Sequence, residues 1–209
     1  VEQKISLPSG ATASFGQAVS IEGNTFVVGD PSAGTSGKVF VYQLNTTTMQ
    51  WGLVQSLDIN AITSPSSWGA SRIGGWIDAN GGNQWLAVSG NHIAVGAPNE
   101  GSGSGRVAWY ADTSVNGNWA TVNSGFFDEI TTNIPENDSQ QRFGASVAMT
   151  KGVLVIGAPG ADIETGGTYG GDGANYGVVR VIQWSEGSTD APNPNTGLLD
   201  TLSGNPDNS

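Results

Sequence analysis

One stretch of the sequence, residues 15–31, decides the fold, because the same pattern returns at residues 143–159. The first copy reads Phe15-Gly16-Gln17-Ala18-Val19-Ser20-Ile21-Glu22-Gly23-Asn24-Thr25-Phe26-Val27-Val28-Gly29-Asp30-Pro31. The second copy reads Phe143-Gly144-Ala145-Ser146-Val147-Ala148-Met149-Thr150-Lys151-Gly152-Val153-Leu154-Val155-Ile156-Gly157-Ala158-Pro159. Both copies begin with Phe-Gly and end with Gly-x-Pro, at the same separation. Two short apolar runs with a turn between them predict a pair of antiparallel strands.

A third, altered copy lies between these two, at residues 86–98, and ends in Gly96-Ala97-Pro98. Its Phe-Gly position falls on Gly82-Asn83, and Trp68-Gly69 further upstream is a displaced equivalent followed by an insertion. After each Gly-x-Pro come a loop and a third apolar run, and a fourth run follows. The third runs are residues 39–42, 107–110 and 178–182, and the fourth runs are residues 53–57, 121–122 and 198–202. Each unit therefore has four short strands.

The apolar character of the central strands on both faces predicts how these units pack. A four-stranded antiparallel sheet with two apolar faces must be covered on both sides, so the units stack as blades of a β-propeller. The predicted division is residues 1–9 as the closing strand of a preceding blade, 10–60 as blade 1, 61–130 as blade 2 with its insertion, 131–203 as blade 3, and 204–209 as a tail.

The phased motifs resemble the FG-GAP repeats of integrin α-subunit propellers and related surface proteins, over roughly residues 10–185. The residues that carry the resemblance are Phe15, Gly16, Gly29, Pro31, Gly96, Pro98, Phe143, Gly144, Gly157 and Pro159. The resemblance implies a propeller of about seven blades and a role in adhesion or ligand recognition. Three blades are too few to close a ring. The chain is therefore expected to be part of a longer propeller, with closure by oligomerisation or an open stack as alternatives.

Calcium is the cofactor that the resemblance suggests, but the family's Asp-rich loop between the first two strands is absent. The hairpins at residues 22–24, 89–91 and 150–152 are too short and too poor in carboxylates to supply six to eight oxygen ligands. Residues 78–83 and the loop carrying Asp162, Glu164 and Asp172 are weaker metal candidates. The favoured interpretation of both is a solvated loop, and no cofactor is expected.

Two further groups of residues are candidate sites. Trp68 and Trp76 could form a stacking platform for a sugar or a protein, and packing within or between blades is the favoured alternative. The sequons at Asn45 and Asn137 are candidate glycosylation sites, which favours an extracellular or cell-surface location.

Composition excludes several classes of function. The net charge of −11, with only seven Lys and Arg, argues against nucleic acid as a partner. The chain has no cysteine, which excludes disulfides and thiol nucleophiles, and no apolar run is long enough for membrane insertion. His92 is the only histidine and no catalytic motif surrounds it, so no enzyme is expected.

The resulting prediction is a non-enzymatic extracellular module that binds a protein or glycan through rim loops. The candidate loops are residues 31–37, 99–105 and 160–176. The alternatives are a structural subunit of a surface assembly, which would bind copies of itself, and a lectin-like sugar binder.

Overall fold

A computed structural model describes residues 2–34, 36–58, 84–99, 105–112, 119–128, 142–161, 177–183 and 198–203. These ranges contain twelve strands and no helix. The strands are β1 (Ala18–Glu22), β2 (Thr25–Asp30), β3 (Lys38–Asn45), β4 (Gln50–Asp58), β5 (Leu86–Ser89), β6 (His92–Ala97), β7 (Arg106–Asp112), β8 (Trp119–Asp128), β9 (Ser146–Thr150), β10 (Val153–Ala158), β11 (Val178–Gln183) and β12 (Leu198–Ser203).

The strands form three four-stranded sheets, each made of consecutive strands. The first sheet contains β1 to β4, the second β5 to β8 and the third β9 to β12, and every neighbouring pair is antiparallel. This confirms the prediction of an all-β fold built from blades of four antiparallel strands. In blades 1 and 2 the fourth strand begins earlier than predicted, because Trp51 lies within β4 and Trp119 begins β8, whereas β12 begins at Leu198 as predicted.

Two-residue turns join the first and second strands of each blade. Gly23 and Gly90 are the first turn residues in blades 1 and 2, with φ values of 55° and 56°. A positive φ at this position is typical of the type II′ hairpin turn, which glycine adopts without strain. These turns fix the register that pairs Ser20 with Val27 in blade 1 and Ala87 with Ala94 in blade 2.

The three blades stack face to face, with their first strands side by side: β5 contacts both β1 and β9. We call the face that each blade turns to the preceding blade its leading face, and the opposite face its trailing face. The first apolar layer joins the trailing face of blade 1, through residues such as Val27 and Val41, to the leading face of blade 2. The second joins the trailing face of blade 2, including Trp109, to the leading face of blade 3, including Ile156.

The leading face of blade 1 is covered in part by the segment that precedes β1. Ile5, Ala11 and Phe15 pack against Val28 and Phe40. The rings of Phe15 and Phe40 meet edge to face, with centroids 5.5 Å apart and planes at 71°. This segment therefore fills part of the space that a further blade would occupy. Within the described ranges, the chain has no helix of the length and apolarity needed to cross a bilayer.

Candidate functional site

The Phe-Gly corner and the Gly-x-Pro end of the same blade lie together at one edge of the sheet, which we call the rim. The amide of Gly16 donates a hydrogen bond to the carbonyl of Gly29, at 3.1 Å. The amide of Gly144 does the same to the carbonyl of Gly157, again at 3.1 Å. The two motifs that define the sequence repeat are therefore two sides of one hydrogen-bonded rim.

The same corner also packs on the preceding blade. A Cβ atom added at Gly96 would collide with the backbone carbonyl of Gly144, and one added at Gly105 would collide with the backbone of Phe143. Gly105 and Phe143 also form an isolated parallel β-bridge. In the first junction, the ring of Trp85 fills the equivalent space over Gly29. Gly29 and Gly96 are thus needed because the next blade lies directly on them.

A buried carboxylate fixes the rim of blade 1. Asp30 is fully buried, and its side chain accepts hydrogen bonds from the amide of Thr12 at 2.5 Å, the hydroxyl of Thr12 at 2.7 Å and the amide of Ser32 at 3.1 Å. Three donors compensate for the cost of burying the charge. This role of Asp30 was not predicted, although the sequence carries a signal for it: Ala97 and Ala158, the residues at the equivalent position, have no side-chain acceptor.

Little of the described rim is open to solvent. In the first rim loop, residues 31–37, Ala33 and Ser36 are buried, and of the described residues only Gly34 is exposed. Lys38 and Asp58 form an ion pair of 3.7 Å beside this loop. Most of the second and third rim loops lies outside the described residues.

Several predicted site residues cannot be placed for the same reason. Outside the described ranges lie Trp68, Trp76, Asn137, Asp162, Glu164 and Asp172. Asn45 is described and exposed, at the end of β3 away from the rim loops. Its side-chain oxygen accepts hydrogen bonds from the amides of Thr47 and Thr48, both at 3.0 Å, so it caps the turn that contains its own sequon.

The described residues also contain no group of three or more His, Asp or Glu that could hold a metal ion. His92 is buried at the start of β6, with its ring 5.0 Å from that of Trp109. Tyr110 is buried in the first junction, and burial, followed by the negative charge of Asp58, raises the pKa of its phenol above the ordinary value. His92 and Tyr110 thus lie within the stack, away from solvent.

A glutamine contact repeats from one blade position to the next. The side chain of Gln55 in β4 donates to the carbonyl of Trp119 at 2.8 Å and accepts from its amide at 2.7 Å. The side chain of Gln3 makes the same two bonds to Trp51, at 2.9 and 2.8 Å. Trp51 and Trp119 occupy matching positions in their blades. Gln3 therefore contacts blade 1 in the same way as Gln55 contacts blade 2.

Among the described residues, β1 carries exposed apolar side chains on the leading face of blade 1. Val19 and Ile21 on β1 are 58% and 64% exposed. Their counterparts in blade 2, Leu86 and Val88, are buried by blade 1. Val19 and Ile21 therefore have side chains of the kind that blade 2 packs on blade 1, and no described residue covers them.

Among the described residues, the trailing face of blade 3 also has apolar side chains that nothing covers. Val179 on β11 is 37% exposed, whereas its counterparts Val39 in blade 1 and Val107 in blade 2 are both fully buried. Ala148 on β9 is also exposed, although its counterpart Ala87 is buried in the second junction. The two outer faces of the stack thus have the residue types of an internal junction, and no blade among the described residues packs on them.

Comparison with known families agrees with this architecture. A family model described as FG-GAP repeat matches residues 2–42. Residues 2–42 are thus similar to an FG-GAP repeat. The FG-GAP match extends from Glu2, through the segment that carries Gln3 and Ile5, to Tyr42 in β3, so it unites that segment with the first strands of blade 1. No curated protein matches the chain.

Proposed function

We propose that the chain is a non-enzymatic recognition module of an extracellular or cell-surface protein, which binds a protein or glycan ligand through its rim loops. The observation that carries the proposal is the construction of the rim. In blades 1 and 3 the Phe-Gly corner is hydrogen-bonded to the Gly-x-Pro end, and each Gly-x-Pro opens a loop. Loops held by a rigid scaffold are the usual place for binding residues in such folds.

Two further properties support the proposal. The acidic charge of the chain favours solubility and repels polyanions such as nucleic acids. Asn45 is exposed within an Asn-Thr-Thr sequon, as a glycosylated position of a secreted protein must be. Mass spectrometry of the protein from its native source tests this location, with a glycan mass on Asn45 as the expected result and its absence as the result against it.

Binding is tested by replacing rim loops in the folded protein. Residues 99–104 and 162–176 are replaced separately by Gly-Ser segments of equal length, and Met49→Gly, at the opposite end of blade 1, is the matched control. Arrays of glycans and of immobilised extracellular matrix proteins then measure binding. We expect a ligand whose binding falls at least tenfold in one loop replacement and is unchanged in the control. Binding that survives both loop replacements contradicts the proposal.

Calcium binding at the third loop is a separate proposal about the same rim. Asp162, Glu164 and Asp172 would supply the oxygen ligands that calcium prefers. If they hold calcium, millimolar calcium raises the Tm of the chain, and the variant with Asn, Gln and Asn at these positions loses that shift. Magnesium serves as the control cation. An equal rise in the variant shows that the shift comes from elsewhere.

The exposed apolar residues on the outer faces, among them Val19, Ile21 and Val179, favour a second candidate function, a structural subunit of a surface assembly. A surface of this kind requires a protein partner, since exposed apolar patches on stacked sheets promote association.

A further inference from the structure

We propose that the trailing face of blade 3 docks on the leading face of blade 1 in a second copy of this chain, so that two copies assemble head to tail. This inference is independent of the rim-loop proposal, because it concerns the faces of the stack and not its loops. It continues an interface that the chain already forms twice, between blades 1 and 2 and between blades 2 and 3.

The apolar residues of the two faces supply the first part of the argument. Val19 and Ile21 correspond to Leu86 and Val88, which the trailing face of blade 1 buries. Val179 corresponds to Val39, which belongs to that burying surface. Each uncovered face therefore has the side chains of one half of a junction, and both halves are present on every copy.

The glycine corners supply the second part. In the second junction the corner at Gly144 lies on Gly96 and against the carbonyl of Arg106. At the start of the stack, Gly16 also has a positive φ, 96° against 84° at Gly144, and no described atom lies within 4 Å of its added Cβ atom. At the end of the stack, the three described atoms nearest to a Cβ atom at Gly157 would all belong to Ser146 of its own blade. The corner at Gly16 and the glycine at position 157 could therefore make, between two copies, the contact that Gly144 and Gly96 make within one chain.

Polar groups on the faces agree with the same pairing. The side chain of Gln84, which precedes β5, donates to the carbonyl of Val19 in the preceding blade at 3.0 Å. Gln17 holds the equivalent position before β1 and is exposed. In the head-to-tail contact, Gln17 donates to the carbonyl of Val147 in the second copy, because Val147 is the blade 3 counterpart of Val19.

The outer edge of this junction is already occupied. Gln3 is hydrogen-bonded to Trp51, as Gln55 is to Trp119 one blade further on. Ile5 packs in the cluster with Phe40, and Leu57 packs in the corresponding cluster of the first junction. Residues 3–5 therefore take the place of a fourth strand. Blade 3 of the second copy already has β12 as its fourth strand beside β11, so in the head-to-tail contact residues 3–5 leave this place and β12 takes it.

Two copies joined at both ends give a closed ring of about six blades, which is within the range of four to eight found in propellers. Head-to-tail contacts produce closed rings when the rotation between copies completes a turn. The wild-type chain is therefore expected to have the mass of two chains in light scattering coupled to size exclusion.

Two charged substitutions test the faces. Ile21→Arg places a cation on the leading face and Ala148→Arg places one on the trailing face, and both positions are exposed in the single chain. Each variant alone is expected to fall to the mass of one chain, with an unchanged circular dichroism spectrum. Met49→Arg, on the exposed hairpin after β3, is the matched control and keeps the mass of two chains.

An equimolar mixture of the two variants identifies the polarity of the contact. The Ile21→Arg chain keeps an intact trailing face and the Ala148→Arg chain keeps an intact leading face, so the mixture recovers the mass of two chains through one junction. A single-chain mass for the wild type at its highest soluble concentration overturns the proposal. So does a mass of two chains in either variant alone, or a mixture that stays at the mass of one chain.

Discussion

Replacing Gly96 by alanine inserts a methyl group where the backbone of the next blade already lies. The new Cβ atom would overlap the carbonyl oxygen of Gly144, and a backbone oxygen cannot rotate away as a side chain can. Blade 3 must therefore shift from blade 2, which loosens the apolar layer around Trp109 and Ile156. Because a well-packed interior has little free volume, this shift reduces contacts over the whole junction.

The magnitude follows from two opposing effects. Forcing an extra methyl group into a packed site costs about 1–3 kcal/mol. Removing a glycine from the unfolded chain returns about 0.4–1 kcal/mol where the backbone suits alanine. The net loss for Gly96→Ala is therefore about 1–2 kcal/mol, which corresponds to a fall in Tm of roughly 2–8 °C for a domain of this size.

Gly157 provides a matched control at the same position of the Gly-x-Pro motif. Its added Cβ atom would meet only the hydroxyl of Ser146, a side chain that can turn to another rotamer. Gly157→Ala should change the free energy of unfolding by no more than about 0.5 kcal/mol.

Urea unfolding followed by tryptophan fluorescence measures both changes, in chains that also carry Ala148→Arg so that self-association does not contribute. Equal losses for the two glycines, or a larger loss for Gly157→Ala, would refute the argument that the glycine at a junction is required by the neighbouring blade.

Two further predictions concern buried polar groups. Asp30→Ala removes the acceptor of three hydrogen bonds and leaves the amide of Thr12 without a partner, so we expect a loss of about 1–3 kcal/mol in urea unfolding. An unchanged urea midpoint would show that blade 1 tolerates alanine at position 30 as blade 2 does at the equivalent position, Ala97. Burial, then Asp58, raises the pKa of Tyr110, so its folded state holds the proton more tightly than the unfolded chain does. The resulting stability is present below about pH 10 and is lost as the pH rises above that value. Tyr110→Phe should flatten this alkaline loss in thermal melts between pH 8 and 11 and cost little at pH 7, because the phenol oxygen has no hydrogen-bond partner among the described residues. An alkaline loss as steep as that of the wild type would contradict the assignment.

The sequence predicted the strands well because each one is marked by a local signal. Apolar runs, two-residue turns containing Gly23 or Gly90 and the Gly-x-Pro ends all act within a few residues, and they placed the strands correctly to within a few positions. The beginning of β4 was predicted too late, since Trp51 was treated as a marker before the strand and not as part of it. Pairing with Leu44 of β3 draws that residue into the sheet.

The contacts between blades were less accessible to sequence reasoning. Gly29, Gly96 and Gly157 are equivalent in the motif, but they meet a tryptophan ring, a backbone carbonyl and a serine hydroxyl respectively. The pattern fixes the glycine, and the neighbour depends on which blade follows. Asp30 is a similar case. Its carboxylate is needed because it accepts hydrogen bonds from Thr12, and the repeat pattern does not align Thr12 with a residue of another blade.

Exposure in this stack is set by position and not by residue type. Val19, Leu86 and Val147 hold the same place on the first strand of their blades, and only Val19 is exposed. Had the outer faces evolved to meet water, the exposed members would be polar, as on the solvent side of ordinary antiparallel sheets. Instead Val19, Ile21 and Val179 keep apolar side chains, and the amide groups of Gln3 extend the junction pattern one blade further outward. The repeat thus encodes junctions, and its first and last faces are halves of a junction that only another blade can complete.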